Sequence, residues 1–260
     1  MTSNVPIEPA ELHIAHSAGA ADAPTLLFLH GLGGTGAVWG RVAALADWPG
    51  DVVLPDLRGH GASPWTRTYS FGAMASDVAG LLPEGRPVVA VGHSMGGAVA
   101  LALASGWFGV EVASVYTVGI KVEWTDEELA GIPLIASKPP REFDDEAGAR
   151  EWAAKLAGLY GVVELDDPIL DRAISPAGAG WRAALDPRAG LVGPPPLRPL
   201  HHAMGDTPVM HTLGENDHMV DEATAASMGA PVEVFAGAGH NAMVERPDEV
   251  WASIERFCRP

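Results

Sequence analysis

A serine lies at the centre of a short glycine-rich segment whose residue types suit nucleophilic catalysis. Residues 92–97 read Gly-His-Ser-Met-Gly-Gly and separate the apolar run 88–91 from an alanine- and leucine-rich stretch. A sharp turn between a strand and a helix projects a serine hydroxyl out of the sheet, and small flanking residues avoid clashes there. The helix start also places backbone amides beside the hydroxyl. The pattern predicts that Ser94 is a nucleophile; a helix-capping serine in an ordinary turn is the alternative.

A second glycine-rich segment offers backbone donors for an oxyanion. Residues 30–34 read His-Gly-Leu-Gly-Gly and directly follow the apolar run 25–29. Because glycines let the backbone approach a nucleophile closely, we predict the amide of Leu32 as one donor and the amide of Met95 as the other. A glycine-rich loop after a strand could instead cradle a phosphate, but this one lacks the Lys and Ser/Thr ending of a phosphate-binding loop.

Alternating strand and helix patterns must position these two loops. The predicted strands are 12–15, 25–29, 51–54, 88–91, 112–118, 209–213 and 232–235, and the predicted helices are 35–46, 71–82, 95–105, 222–228 and 248–257. Strand and helix in alternation are typical of a parallel sheet. The fold class is therefore α/β, with a mostly parallel central sheet flanked by helices.

The segment between the two sets of strands has a different character. Residues 122–203 carry more acidic than basic side chains and show helical patterns without a convincing buried strand. Five prolines within 186–199 indicate a loop or linker. We therefore expect a core of 1–121 and 204–260, interrupted by an inserted helical cap over 122–203. Inserted segments at the C-terminal ends of strands often cover a site.

Taken together, these segments resemble the α/β-hydrolase fold superfamily. Residues 56–63 (Asp-Leu-Arg-Gly-His-Gly-Ala-Ser) resemble the family's turn after the preceding strand, 214–217 (Gly-Glu-Asn-Asp) its acid loop, and 237–240 (Gly-Ala-Gly-His) its histidine loop. The resemblance implies a catalytic triad in the chain order Ser, acid, His. The cap is where the superfamily diverges, so the resemblance implies no substrate.

The triad needs a base for the serine and an acid that fixes the tautomer of the base. Only His218 and His240 follow both the serine and the acid loop, and His218 is too close in sequence to Asp217 to be oriented easily by it. The resemblance therefore implies His240 as the base and Asp217 as the acid. Glu215 and Glu123 also follow strand ends and are the alternative acids.

Other polar residues near these loops are expected to be structural. We predict that His30 and His93 hold the two glycine-rich loops, that His60 stabilises its own turn, and that Asp56 and Arg58 form an ion pair. The spacing of histidines and carboxylates suggests no metal site.

The cap contributes three tryptophans, Trp124, Trp152 and Trp181, as candidates for an apolar substrate pocket above Ser94, although such residues most often pack a cap against its core. Its acidity disfavours polyanionic substrates. We predict a serine hydrolase for an uncharged or weakly charged carboxylic ester or lactone, without a cofactor. Thioester or carbon–carbon bond hydrolysis on the same triad is an alternative, and a ligand-binding receptor with little turnover is the alternative outside catalysis.

Composition limits partners and location. The 260 residues hold 16 Lys plus Arg against 33 Asp plus Glu, a formal charge of −17 without a basic cluster. Nucleic acid and anionic membranes are therefore poor partners. A single cysteine, Cys258, suits a reducing compartment. Residues 1–11 are polar and contain Pro6 and Pro9, unlike a signal peptide. We expect a cytoplasmic monomer or homodimer that acts on a small molecule.

Overall fold

A seven-stranded sheet forms the centre of the computed structural model, which describes residues 9–258. Strands in chain order are β1 (Ile14–Ser17), β2 (Thr25–Leu29), β3 (Val52–Pro55), β4 (Val88–His93), β5 (Val112–Val118), β6 (Glu142–Phe143), β7 (Ile174–Ala177), β8 (Gly180–Ala183), β9 (Val209–Gly214) and β10 (Val232–Phe235). The central sheet has the order β1-β3-β2-β4-β5-β9-β10. β1 is antiparallel to β3 and the other neighbours are parallel, so the predicted α/β class is confirmed.

Helices connect the strands and cover both faces of the sheet. They are α1 (Gly40–Leu45), α2 (Phe71–Ala79), α3 (Met95–Leu103), α4 (Asp126–Ala136), α5 (Glu146–Leu156), α6 (Leu197–Ala203), α7 (Glu222–Ala226), α8 (Ala242–Glu245) and α9 (Pro247–Cys258). The predicted helix over 35–46 is divided into a 3-10 helix, Gly36–Trp39, and α1. Among the described residues, no helix combines the length and the apolar composition that crossing a bilayer requires. The expectation drawn from residues 1–11 rests mainly on 1–8, which lie outside the described range.

Each face of the central sheet has its own apolar core. Successive side chains of a strand point to opposite faces, so Leu26 and Phe28 of β2 pack with residues of α1 and α9, whereas Leu27 and Leu29 pack with residues of α2 and α3. All four side chains are fully buried. Burying such a side chain stabilises the fold by roughly 1.5–3 kcal/mol. Two-sided burial explains why the central strands are continuous apolar runs instead of alternating ones.

The chain between β5 and β9, where we expect the helical cap, contains helices and also a small sheet that the sequence analysis did not predict. α4, α5 and α6 are joined there by a three-stranded antiparallel sheet in the order β6-β8-β7. These strands have only two to four residues each, and β8 is buried only at Ala183. Short, half-exposed strands produce no apolar run in the sequence. The turn between β7 and β8 includes Gly178 with a positive φ of 56°.

The proline-rich segment 186–199 is also more ordered than the expected loop. It contains a 3-10 helix, Pro187–Val192, and the first residues of α6. Pro187 occupies the first turn of the 3-10 helix, where a missing amide costs nothing because that amide has no intrahelical acceptor. The Asp186 side chain caps the same turn by accepting a hydrogen bond from the Arg188 amide at 3.0 Å.

The ion pair that we predicted between Asp56 and Arg58 is wrong. Arg58 turns towards α2 and forms a buried, two-pronged pair with Asp77. Asp56 instead accepts the Gly36 amide at 2.8 Å and pairs with Arg172 of the cap. The two side chains diverge because each finds its partner on a different distant element.

The Arg58 and Asp77 pair generates a stability prediction. Asp77→Ala leaves a buried guanidinium without its carboxylate, so we expect the free energy of unfolding to fall by about 3–5 kcal/mol. Urea unfolding followed by circular dichroism measures it. Glu84→Ala, which removes an exposed carboxylate, is the control and should change stability by less than about 0.5 kcal/mol. Equal effects in the two variants would contradict the assigned role of the pair.

Candidate active site

Ser94 lies between β4 and α3 in a strained turn. Its φ of 50° and ψ of −115° make it the one non-glycine residue with a positive φ within residues 9–258. A Cβ at Gly92 would lie 2.3 Å from the Gly96 carbonyl oxygen, and one at Gly96 would lie 2.4 Å from the Leu29 carbonyl oxygen. Both flanking positions therefore require glycine. Such strain costs about 1–3 kcal/mol and is kept where the surroundings enforce it.

Asp217 and His240 form a hydrogen-bonded pair on the loops that follow β9 and β10. The Nδ1 atom of His240 donates to Asp217 Oδ2 at 2.9 Å, and Asp217 Oδ1 accepts the Met219 amide at 2.8 Å. The Asp217 side chain is fully buried, and that of His240 is 14% exposed. Since an ionised carboxylate only accepts, Nδ1 carries the proton and Nε2 is left as an acceptor. This is the tautomer that a general base requires.

Contacts between loops bring Ser94 and this pair to the same edge of the sheet. The ring of His93, next to Ser94, lies 4.7 Å from the ring of His240, and its Nε2 donates to the His240 carbonyl oxygen at 3.0 Å. A Cβ at Gly119, directly after β5, would lie 3.0 Å from both Asp217 Oδ2 and His240 Nδ1. The carboxyl ends of four parallel strands therefore converge on one site, as open α/β sheets favour.

The alternative acids and base have other positions. Glu215 accepts the Gly237 amide at 2.8 Å, so its carboxylate holds the histidine loop. Glu123 and His218 are exposed, and the His218 ring centroid lies 6.1 Å from that of His240. The geometry favours Asp217 as the partner of His240. In the described part of the chain, no three His, Cys, Asp or Glu side chains are grouped as a metal site.

The two predicted oxyanion donors belong to backbone that borders Ser94. A Cβ at Gly31 would lie 3.1 Å from the Ser94 Cβ, so the Gly31–Leu32 peptide passes directly beside the serine. Met95 is the first residue of α3, where amides have no intrahelical acceptor. His30 holds this loop, because its Nδ1 donates to the Gly31 carbonyl oxygen at 2.8 Å.

Buried neutral histidines support the site. Burial lowers the pKa of His30, His60 and His93, that of His60 to about 3. The His60 ring packs edge-on against His30 at 4.9 Å, and its Nδ1 donates to the Arg58 carbonyl oxygen at 3.0 Å. These rings therefore act as uncharged hydrogen-bonding groups that hold loops in place.

An apolar cavity of about 110 Å³ lies over Ser94. Of the three candidate tryptophans, Trp124 lines it, Trp152 lines a neighbouring cavity in the cap, and Trp181 packs from β8 against the core. The sequence analysis missed most of the walls, which are Leu32, Phe71, Met95, Ala98, Ile120, Lys121, Gly190, Val192, Gly193, Pro195 and Met219. Ile120 and Met219 could have been found, because they lie two residues beyond the end of β5 and two beyond the acid loop. The proline-rich residues could not.

Comparisons with known proteins agree with this architecture. The sequence model of the alpha/beta hydrolase family matches residues 26–253. Lipase LipV of Mycobacterium tuberculosis is 33% identical over 185 residues, 67% of each chain. The sn-1-specific diacylglycerol lipase ABHD11 of Mus musculus is 28% identical over 267 residues, 98% of this chain and 87% of the mouse protein. The crystal structure of E-2-(acetamidomethylene)succinate hydrolase superposes with a TM-score of 0.79 at 23% identity, covering 98% and 97% of the two chains. The chain therefore belongs to the alpha/beta hydrolase family.

Gly119 provides a test of the Asp217 and His240 pair. Gly119→Ala adds a Cβ within 3.0 Å of both hydrogen-bonding atoms, so we expect the downfield proton resonance of His240 Nδ1–H to shift or vanish. Gly205→Ala is the matched control, because Gly205 has a similar φ of 59° and open space around it. Identical spectra for the two variants would count against the close approach at Gly119.

The buried histidines predict how stability depends on pH. Below a pH of about 6.5 an unfolded histidine takes up a proton, whereas the folded pKa of His60 is about 3. The unfolded state then binds more protons, so the free energy of unfolding falls as the pH falls from about 6.5 towards 3. His60→Gln should reduce this slope by up to about 1.4 kcal/mol per pH unit, measured by urea unfolding between pH 4 and 6.5. His13→Gln, which changes an exposed histidine, should keep the slope.

Proposed function

We propose that this chain is a serine hydrolase that cleaves an uncharged or weakly charged carboxylic ester or lactone through an acyl-enzyme on Ser94. The observation that carries the proposal is the 2.9 Å hydrogen bond between Asp217 and His240 at the sheet edge where Ser94 occupies its strained turn. A hydroxyl, an imidazole with a free Nε2 and a buried carboxylate are the groups that acyl transfer requires.

Acylation begins when His240 Nε2 takes the proton of the Ser94 hydroxyl. The serine oxygen then forms a bond to the carbonyl carbon, and negative charge develops on the carbonyl oxygen. The amides of Leu32 and Met95 donate hydrogen bonds to that oxygen, and the positive end of α3 adds to their effect. His240 returns its proton to the alcohol oxygen as the carbon–oxygen bond breaks, which leaves the acyl group on Ser94.

Deacylation repeats these steps with water. His240 takes a proton from the water molecule, the water oxygen adds to the acyl carbon, and Ser94 regains its proton as the acid leaves. Asp217 stabilises the imidazolium in both halves of the reaction. This route consumes one water molecule per turnover and uses no cofactor.

The cavity and the relatives support an ester substrate. The walls over Ser94 are predominantly apolar, and Lys121 among them is paired with Glu128. Two relatives carry the name lipase, and lipases cleave carboxylic esters. The single cysteine supports a cytoplasmic location, and the chain order supports a core of 1–121 and 204–260 with a cap over 122–203.

Covalent labelling tests the catalytic roles. Wild-type protein should react with a fluorophosphonate probe at one site, and mass spectrometry should locate the adduct on Ser94. Ser94→Ala should lose labelling completely, and His240→Gln should lower its rate by roughly 10²–10⁴-fold. Ser17→Ala, an exposed serine on β1, should be labelled like the wild type. A folded wild type that resists the probe would reject the hydrolase and favour a ligand-binding receptor.

A substrate panel separates the remaining enzymatic alternatives. We expect release of acid from short alkyl esters or lactones, with Ser94→Ala slower by at least about 10³-fold. Matched thioesters and carbon–carbon hydrolase substrates are assayed beside them. If the labelled enzyme cleaves only a thioester or only a carbon–carbon bond, the ester assignment is wrong while the catalytic residues stand.

A further inference from the structure

A second and larger cavity adjoins the one that holds Ser94. It lies in the cap, has a volume of about 500 Å³, and shares two wall residues, Leu32 and Gly190, with the smaller cavity. Since the backbone at Leu32 borders Ser94, a substrate whose carbonyl oxygen meets the Leu32 amide can extend past this residue into the cap.

The two volumes divide a substrate into a short part and a long part. The cavity over Ser94, about 110 Å³, is smaller than the roughly 150 Å³ that accepts benzene, so it suits a group of only a few non-hydrogen atoms. The cap cavity, about 500 Å³, lies within the range of about 300–1,000 Å³ that is typical of ligand sites. The larger part of the substrate therefore belongs in the cap.

Two cationic side chains without a carboxylate partner, Lys138 and Arg141, line the cap cavity. Within residues 9–258, neither Lys138 nor Arg141 forms an ion pair, although most Lys and Arg side chains in that range do. Lys121 in the smaller cavity is neutralised by Glu128. In a chain with a net charge of −17, two unpaired cations at one cavity are a local exception that favours an anion.

Aromatic rings position one of these cations. The Arg141 guanidinium lies 4.8 Å from the ring of Phe143 and 5.3 Å from the ring of Trp152. Cation–π contacts of this kind orient the planar group while leaving its N–H donors available to a carboxylate. Trp152, Leu156 and Ile135 provide an apolar wall in the same cavity. The cap cavity thus combines an apolar wall with two positive side chains.

We propose that the cap cavity binds the far end of the substrate, an apolar body that ends in a single carboxylate held by Arg141 and Lys138. The substrate class is an ester that joins a small group to a monocarboxylate body, such as a half-ester of a dicarboxylic acid. This inference rests on the proposed function for the reacting end. It agrees with the expectation that polyanionic substrates are disfavoured, because the two exposed cations in an otherwise acidic cap offset the charge of a single carboxylate.

Matched ester pairs test the carboxylate preference. Monomethyl and dimethyl esters of dicarboxylic acids with four to ten carbons are assayed by methanol release, and the dimethyl rate is halved for its two ester groups. A second series consists of ω-hydroxy acids acetylated on the hydroxyl group. In these esters the small group is the acyl part and the carboxylate body is the alcohol part, which is the reverse of the methyl esters. We expect kcat/KM to favour the carboxylate-bearing ester about threefold or more at one or more lengths, and 0.5 M salt to reduce the preference.

Variants assign the preference to the two cations. Arg141→Gln should lower the ratio of kcat/KM between the monomethyl and dimethyl esters by about three- to tenfold, mainly through KM, and Lys138→Gln should add to the loss in the double variant. Arg67→Gln is the control, because Arg67 is exposed and lines neither cavity. A ratio near or below one in the wild type at every length, in both series, would overturn the proposed subsite.

Binding separates failure of the subsite from failure of the proposed function. Ser94→Ala is titrated calorimetrically with the half-ester that the wild type prefers, or with monomethyl suberate if no ester is cleaved. Tighter binding than dimethyl suberate, weakened by Arg141→Gln, supports the subsite even if the hydrolase hypothesis fails. Equal affinity for the charged and uncharged esters rejects the subsite, whether or not esters are hydrolysed.

Discussion

The close packing of backbone around Ser94 is the constraint on which the rest of the structure depends. Ser94 keeps an unfavourable φ of 50° because β4 pairs on both sides with β2 and β5, and because α3 is buried along its whole length. Its amide donates to the Val118 carbonyl oxygen at 2.8 Å. Neighbouring strands and the helix thus enforce a geometry that the local chain would not adopt alone. This enforced turn places Ser94 at the carboxyl edge of the sheet.

Neutral groups hold this edge together. His30 holds its own glycine-rich loop through the Gly31 carbonyl oxygen, His93 connects the serine turn to the histidine loop through the His240 carbonyl oxygen, and burial keeps both rings uncharged. In the proposed mechanism, a charged scaffold beside the site would compete electrostatically with the imidazolium that His240 becomes. Asp217, buried and aimed at Nδ1, is the carboxylate that this imidazolium faces. Because the supporting histidines are uncharged, the negative charge that faces His240 comes from Asp217.

In the proposed function, the cap over 122–203 determines what can reach these groups. Residues of 122–203 line both cavities, which differ in volume and share Leu32 and Gly190, and core residues complete the smaller one. The acidity of the cap acts at long range on an approaching ligand, whereas Arg141 and Lys138 act at short range on one that has entered. Both effects concern charge, yet they differ in distance, and salt weakens the long-range effect first. Selection by size and selection by charge are therefore combined in one inserted segment.

The sequence by itself determined the α/β class, most core elements and the loops that carry Ser94, Asp217 and His240, because these depend on residues close together in the chain. An apolar run, a glycine pair or an acid loop can be recognised in the sequence because residues close together in the chain decide its conformation. Only the tertiary structure decided that Arg58 pairs with Asp77, that the cap contains a small sheet, and that the segment 186–199 lines the cavity. Those features depend on partners far apart in the sequence, since packing between elements, and not the local pattern, decides which residues meet.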